Sequence, residues 1–222
     1  MTPESLPSKF DVVIAGAGPA GLSAALTAAS SGAAVLVVEQ NPEIGSPTRT
    51  SGGSFIRELL DLGIPESLFH PIRRVRFLSP NHCAQFQYDD PVACIIDVRA
   101  VYQHLAILAA QAGATIWLAS KATAVLKQGG AVTGLEVRTR TNSLASVEAR
   151  VVIDATGYRG DLLRQAGLTT QIQRFGVGAE FDLFAPHCFC GTSDTRGTAL
   201  KITRTHPPRD VSSRNKSPNL CR

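Results

Sequence analysis

The chain has 222 residues, a length sufficient for one large hydrophobic core or two modest ones. Its composition, with 44% hydrophobic and 18% charged residues, is that of a soluble globular protein. The net charge of +4 is unevenly distributed, because residues 187–222 carry seven basic residues against two acidic ones. This basic tail has no interleaved aromatic residues apart from Phe189, so we expect no nucleic-acid partner.

Cysteine usage and the lack of a visible targeting segment bear on the compartment. Five cysteines without a C-x-x-C pair predict neither a disulfide framework nor a zinc site, and therefore a reducing environment. His187 and the two cysteines beside it are too closely spaced for a zinc knuckle, so no metal is expected. The uncharged stretch 12–38 contains Pro19 and several glycines, which argues against a membrane span. We expect a cytoplasmic protein and leave a peripheral membrane contact open.

The first regular elements predict a strand–helix–strand unit. An apolar run at 12–15 leads into Gly16-x-Gly18-x-x-Gly21, and a second apolar run at 35–38 ends in Glu39. This order is typical of a βαβ dinucleotide site. The first glycine permits the tight turn, the second allows a pyrophosphate to approach, and the third lets the helix pack on the sheet. The helix N-terminus faces the phosphates, while the carboxylate of Glu39 accepts hydrogen bonds from a ribose and disfavours a 2′-phosphate.

A loop and a short helix are expected next. Residues 40–53 are rich in turn formers, and a loop of this length inside a compact domain is usually functional or mobile. Ser54 is the expected N-cap of the following helix, and Gly63 is expected to close it. One apolar face of this helix should be buried: Phe55, Ile56, Leu59 and Leu60.

The rest of the chain changes to a β pattern and then returns to α/β. The strands expected at 75–77, 86–88 and 93–96 have no crossover helices between them. They are therefore expected to form one inserted antiparallel sheet. Helices are expected from Asp97–Arg99 to Gly113 and from close to Gly160, and a β-meander leads back to the parallel sheet. The expected strands lie at 75–77, 86–88, 93–96, 115–118, 122–126, 132–138, 149–154 and 174–184.

Four motifs, read together, resemble a known family. They are the glycine motif with Glu39, the loop Gly45–Gly53, Arg99 opening a helix after a β insertion, and Asp154-Ala-Thr-Gly157 ending a late strand. The combination is similar to the FAD-dependent oxidoreductases of the para-hydroxybenzoate hydroxylase fold, and within them to the geranylgeranyl reductase family. The resemblance covers about residues 10–186. It implies an α/β fold, namely a Rossmann-like FAD-binding βαβ domain with an inserted antiparallel β layer and a β-meander.

The resemblance also implies which residues hold FAD. The glycine motif would cradle the pyrophosphate, Glu39 would hold the adenosine ribose, and Arg99 would meet the flavin ribityl or phosphate region. Arg49 would place a charge near the flavin or substrate. A solvent-facing or helix-start Arg99 and an ordinary surface loop at 47–53 are the open alternatives, and no catalytic residue can be named. The expected cofactor contacts are Gly16, Gly18, Pro19, Ala20, Gly21, Glu39, Gln40, Arg49, Arg99, Ala155, Thr156 and Gly157.

An activity follows from the same resemblance. Geranylgeranyl reductases reduce isoprenoid double bonds by hydride transfer from reduced FAD, so we expect an oxidoreductase. Its substrate would be a small, hydrophobic, isoprenoid-like molecule, with NAD(P)H or another reductant as the electron source. Two alternatives stay open: a flavin-dependent monooxygenase on the same fold, and a truncated, non-catalytic FAD-binding fragment.

The expected domain organisation is discontinuous. Residues 1–71 and 95–170 would form the FAD-binding domain, 72–94 and 171–186 a partial substrate-side β layer, and 187–222 an irregular basic tail. The family's second FAD-contacting Gly-Asp element is missing after residue 178, and the apolar pattern ends abruptly. We therefore hypothesise a C-terminal truncation, in which family sequence ends near Pro186 and unrelated residues follow.

Overall fold

A computed structural model describes residues 8–158 and 160–168, which form eleven strands and four α-helices. The strands are β1 (Lys9–Ala15), β2 (Val35–Val38), β3 (Gly53–Phe55), β4 (Phe69–Pro71), β5 (Arg74–Leu78), β6 (Cys83–Gln87), β7 (Ala93–Ile96), β8 (Thr115–Trp117), β9 (Lys121–Gln128), β10 (Ala131–Arg138) and β11 (Leu144–Asp154). The helices are α1 (Pro19–Ser30), α2 (Ile56–Asp61), α3 (Val98–Gln111) and α4 (Asp161–Ala166). The strand expected at 174–184 and the segments 171–186 and 187–222 lie outside the described residues.

The largest sheet has six strands in the order β8-β2-β1-β11-β10-β9. The first four strands of this order run parallel, whereas β10 is antiparallel to both β11 and β9. Strand β11 belongs to both the parallel and the antiparallel part of the sheet, because residues 144–148 pair with β10 and residues 148–154 pair with β1. The predicted Rossmann-like βαβ unit and β-meander are therefore confirmed.

The central strands are buried on both faces, as the uninterrupted apolar runs predict for parallel strands. Successive side chains of a strand point to opposite faces, so Ile14 and Val37 join one cluster while Val13 and Leu36 join another. Helices α1 and α3 complete the first cluster with Leu22, Ala25, Leu105 and Ala109. The meander completes the second with Leu135, Val137 and Val147.

The inserted β region differs from the prediction of one antiparallel sheet. Strands β5 and β6 form a separate two-stranded hairpin, while β7 pairs with β3 and β4 in a three-stranded sheet. The single-sheet prediction was wrong because β3 and β4 are three-residue strands whose pairing with β7 has no local periodic signal. Strands β3 and β4 of the three-stranded sheet lie before the domain boundary predicted at residue 72, and β7 spans the boundary predicted at residue 94. The predicted division into domains stays a prediction.

The start of α2 also differs from the prediction. Ser54 is not an N-cap, because it lies in β3 opposite Cys94, and the helix begins at Ile56. Leu59 is buried, but Phe55 is 60% exposed and Leu60 is 45% exposed. A helix of six residues makes fewer than two turns, so only part of its apolar surface reaches the core.

The carboxyl-terminal edge of the parallel strands is the expected place for a ligand. Strands β1, β2 and β11 are parallel and end at Ala15, Val38 and Asp154, so their carboxyl ends lie side by side. Ligands of open α/β sheets bind outside this edge. Among the described residues, no helix combines the length and the apolar character needed to cross a bilayer.

Candidate cofactor site

The glycine motif forms the turn between β1 and α1. Gly16 has a φ of +104°, and a Cβ there would lie 2.4 Å from the carbonyl oxygen of Ala155. A Cβ on Gly21 would lie 2.0 Å from the carbonyl oxygen of Gly16. These two glycines therefore allow the turn, the helix and the segment after β11 to touch through their main chains.

Gly18 has a different environment from the other two glycines of the motif. It is the N-cap of α1 with a φ of −76°, and no described atom lies within 4 Å of the position a Cβ would take. Pro19 occupies the first helical position, and the first turn contains no acidic residue. The free N–H groups and positive dipole end of α1 therefore border an open space suited to an anion.

Glu39 is a buried carboxylate, only 8% exposed, at the end of β2. One carboxylate oxygen accepts a hydrogen bond of 2.9 Å from the backbone N–H of Ala17, within the glycine turn. The other accepts a hydrogen bond of 2.8 Å from the N–H of Asn41. The fold thus fixes the carboxylate beside the glycine turn, and each oxygen keeps a second lone pair for an external hydroxyl group.

The turn after β11 is organised by Asp154. One of its oxygens accepts hydrogen bonds from the N–H and the hydroxyl of Thr156, at 3.0 and 2.6 Å. The other oxygen accepts a hydrogen bond of 3.1 Å from the N–H of Leu163 in α4. Ala155 packs against the glycine motif, whereas Thr156 and Gly157 are exposed.

The loop 40–53 and the first turn of α3 lie against each other. Arg99 is the second residue of α3, whose N-cap is Asp97, and its guanidinium pairs with the carboxylate of Glu43. A Cβ on Gly45, which has a φ of +77°, would lie 2.8 Å from the Cα of Arg99. Gln40 and Arg49 are exposed, and the Arg49 side chain makes no hydrogen bond or ion pair with the residues at 8–158 and 160–168.

The predicted site residues therefore fall into a connected group and a scattered group. The glycine motif, Glu39 and Ala155 are brought together by direct contacts. Arg99 is tied to the loop that carries Arg49 through Glu43 and Gly45, whereas Arg49 itself makes no hydrogen bond with Arg99. Sequence reasoning missed Glu43 and Gln103 as partners in this region. Glu43 is separated from Arg99 by 56 positions, so only the tertiary fold reveals the pair.

An open groove of about 430 Å³ lies elsewhere, along α2 and the segment 90–92. It is lined by both apolar and charged side chains, and none of the predicted cofactor contacts takes part in its wall.

No cluster of metal-ligating side chains occurs in the part of the chain that the structure describes. The two cysteines described, Cys83 and Cys94, are free thiols.

Comparison with known proteins identifies the family. The family model described as FAD dependent oxidoreductase matches residues 11–209. The chain belongs to this family. The match continues past Pro186, where we expected family sequence to end.

Individual relatives agree with the predicted resemblance to geranylgeranyl reductases. The digeranylgeranylglycerophospholipid reductase of Thermoplasma volcanium is 34% identical over 171 residues, which cover 73% of this chain and 43% of the relative. The enzyme of the same name from Methanoculleus marisnigri is 36% identical over 172 residues, covering 74% and 43%. The chain therefore spans less than half the length of the curated relatives it matches.

Solved structures give the same result for the fold. A geranylgeranyl bacteriochlorophyll reductase-like protein from Thermoplasma acidophilum is 33% identical with a TM-score of 0.68, covering 76% of this chain and 44% of that one. The myxobacterial chondrochloren halogenase, an FAD-dependent enzyme 20% identical with a TM-score of 0.58, covers 72% and 40% and shares the fold. The predictions of the α/β fold and of FAD as the family's cofactor are confirmed.

The described residues fit FAD in three respects. Open space lies where Gly18 lacks a Cβ, the adjoining helix turn carries no negative charge, and the carboxylate of Glu39 is already fixed by backbone donors. The first two features suit a pyrophosphate and the third suits a ribose. The roles of the individual residues stay predictions.

Proposed function

We propose that this chain is the FAD-binding portion of an oxidoreductase that reduces carbon–carbon double bonds of isoprenoid lipids. The observation that carries the proposal is the buried carboxylate of Glu39 held by the N–H of Ala17 beside the open position at Gly18. Within a chain of the FAD dependent oxidoreductase family, this arrangement suits the ribose and pyrophosphate of FAD. The isoprenoid substrate is proposed from the names of the relatives, which are digeranylgeranylglycerophospholipid reductases.

The chain's own residues have two tasks in this proposal. Gly16, Gly18 and Gly21, with Pro19 and Ala20, hold the pyrophosphate at the N-terminus of α1. Glu39 and Gln40 hold the adenosine ribose, and Arg99, Arg49 and the turn 155–157 border the flavin half.

When bound and reduced, FAD supplies the hydride that one carbon of the double bond takes up, while the other carbon takes a proton. We assign no residue as the proton donor. NAD(P)H or another reductant would supply the electrons that reduce the bound cofactor.

We also propose that the protein is cytoplasmic and meets its substrate at a membrane surface, because a phospholipid-linked isoprenoid resides in a bilayer. Residues 72–94 and 171–186 would contribute to a β layer on the substrate side. Sedimentation of the purified chain with phospholipid vesicles tests the membrane contact, with vesicle-free protein as the control.

The decisive experiment is spectroscopic. The full chain, purified under mild conditions or reconstituted with FAD, should show flavin absorption, and denaturation should release FAD and not FMN. Chemically reduced holoprotein is then mixed with a geranylgeranylated lipid, and saturated product is sought by mass spectrometry. Oxygen consumption with NADPH and no reduced lipid would favour the monooxygenase alternative. A chain that binds FAD but reduces nothing would favour the non-catalytic fragment, and a chain that binds no FAD would refute the proposal.

A further inference from the structure

Glu43 lies in the loop after β2 and reaches across to α3. One oxygen of its carboxylate pairs with the guanidinium of Arg99 and also accepts a hydrogen bond of 3.1 Å from the side-chain amide of Gln103. Arg99 and Gln103 are four positions apart on the helix, so they lie on the same face one turn apart. A single carboxylate oxygen therefore ties the loop 40–53 to the first turns of α3.

The main chain of the loop also contacts the first turn of α3, at Gly45. At Gly45 the backbone comes so close to α3 that a Cβ would lie 2.8 Å from the Cα of Arg99 and 3.2 Å from its carbonyl oxygen. Loop and helix are thus in contact at two neighbouring points, one through side chains and one through backbone. The distance between Glu43 and the guanidinium is therefore set by the fold and not by side-chain reach alone.

The pair contributes orientation more than stability. The side chains of Arg99 and Glu43 are 58% and 38% exposed, and exposed ion pairs contribute at most about 1 kcal/mol. A guanidinium has five N–H donors in a rigid fork, so the contact with Glu43 leaves donors available for a ligand. Fixing one arm of the fork fixes the direction of the others.

We propose that Glu43 is a positioning residue that orients the guanidinium of Arg99 toward the flavin half of FAD, with Gln103 holding the carboxylate in place. The inference rests on the proposed function, because it takes Arg99 as a contact of the cofactor. Glu43 itself meets no cofactor atom in this account and acts through Arg99.

Binding of FAD and of AMP to the full-length chain tests the role. AMP is the adenosine half of FAD, with its own phosphate, and lacks the flavin, the ribityl chain and the flavin-side phosphate that Arg99 would meet. Glu43→Ala should weaken FAD binding by about five- to tenfold, while AMP binding and the thermal unfolding temperature stay close to wild type. Glu43→Gln keeps a neutral acceptor and should recover part of the affinity. Glu66→Ala, which removes an exposed carboxylate elsewhere, serves as the matched control.

A double-mutant cycle completes the test. If Glu43 acts through Arg99, then Glu43→Ala has no further effect on FAD binding in an Arg99→Ala background. An equal loss of FAD and AMP affinity, or a full effect in the absence of Arg99, would overturn the role. Wild-type chain that binds AMP but not FAD would overturn the proposed function itself. Wild-type binding of FAD with an unchanged Glu43→Ala variant would overturn only the role of Glu43.

Discussion

The glycine motif with Glu39 and the loop 45–53 with Arg49 are close in sequence but differ in how firmly the described residues hold them. Glu39 is 8% exposed and accepts two backbone hydrogen bonds. Arg49 is exposed and has no side-chain partner within residues 8–158 and 160–168. We refer to the glycine motif and Glu39 as the adenosine end, and to the loop 45–53, Arg99 and the turn 155–157 as the flavin end.

The comparison shows that the two ends are built by different means. The adenosine end is made by main-chain contacts between β1, α1 and the segment after β11, which the sheet imposes. The flavin end is made by a loop, a turn and largely exposed side chains, which are held by the pair between Glu43 and Arg99 and by the hydrogen bonds that Asp154 accepts from Thr156. We therefore expect changes at the packed residues of the adenosine end, Gly21 and Glu39, to affect folding, and changes at the exposed side chains of the flavin end to affect binding alone.

The largest effect is expected for Gly21→Ala. The new Cβ would lie 2.0 Å from the carbonyl oxygen of Gly16, and backbone cannot move aside as a flexible side chain can. Overpacking of this kind costs about 3 kcal/mol of the free energy of unfolding. Chemical denaturation measures the loss. Unchanged stability would show that the glycine turn is more loosely packed than its contacts indicate.

The next largest effect is expected for Glu39→Ala. The substitution leaves the N–H groups of Ala17 and Asn41 without their acceptor, which costs about 2 kcal/mol of stability. It should also weaken AMP binding. Glu148→Ala removes an exposed carboxylate from β11 and should change stability by less than about 0.5 kcal/mol. Equal stability losses in the two variants would contradict the structural role of Glu39.

Gly18→Ala separates binding from folding at the adenosine end. The added methyl group points into open space and φ at this position is −76°, so stability should fall by less than about 1 kcal/mol. Binding of both FAD and AMP should weaken by about tenfold, because the methyl group would occupy the space assigned to the pyrophosphate. Calorimetric titration measures the two dissociation constants. Normal affinity with normal stability would mean that no phosphate lies against Gly18.

Sequence reasoning was most successful where local order determines the structure. The alternation of apolar runs and glycines from Lys9 to Glu39 fixes β1, α1 and β2 within one short segment, and the predicted strand Val35–Val38 agrees with the observed one. It failed where pairing is long-range. Ser54 joins a strand because it lies opposite Cys94, 40 positions away, which no local capping signal reveals.

Arg49→Ala tests whether the flavin end affects FAD binding without affecting stability. Because the exposed side chain makes no hydrogen bond or ion pair with residues 8–158 and 160–168, the free energy of unfolding should change by less than about 0.5 kcal/mol. FAD binding should weaken by about threefold with no change in AMP binding, since only the flavin half approaches this loop. Loss of AMP binding would place Arg49 at the wrong end of the cofactor.

The smallest effect concerns Tyr102, a half-buried residue of α3 that packs against the first core cluster. Burial raises the pKa of its hydroxyl above the ordinary value of 10.0. A raised pKa means that the folded state holds the proton more tightly, so this stabilisation is complete below pH 10 and is lost as pH rises through the folded pKa. The unfolding free energy of Tyr102→Phe should therefore fall less steeply above pH 10 than that of the wild-type chain. Equal slopes would contradict the burial of this hydroxyl.

The most direct measurement compares the two halves of FAD as separate ligands. AMP and FMN are titrated into the wild-type full chain, and each is then tested as a competitor of FAD. A preformed adenosine end and an exposed flavin end predict that AMP binds at least about tenfold more tightly than FMN and competes with FAD. FMN binding as tightly as FAD, with no measurable binding of AMP, would contradict the account.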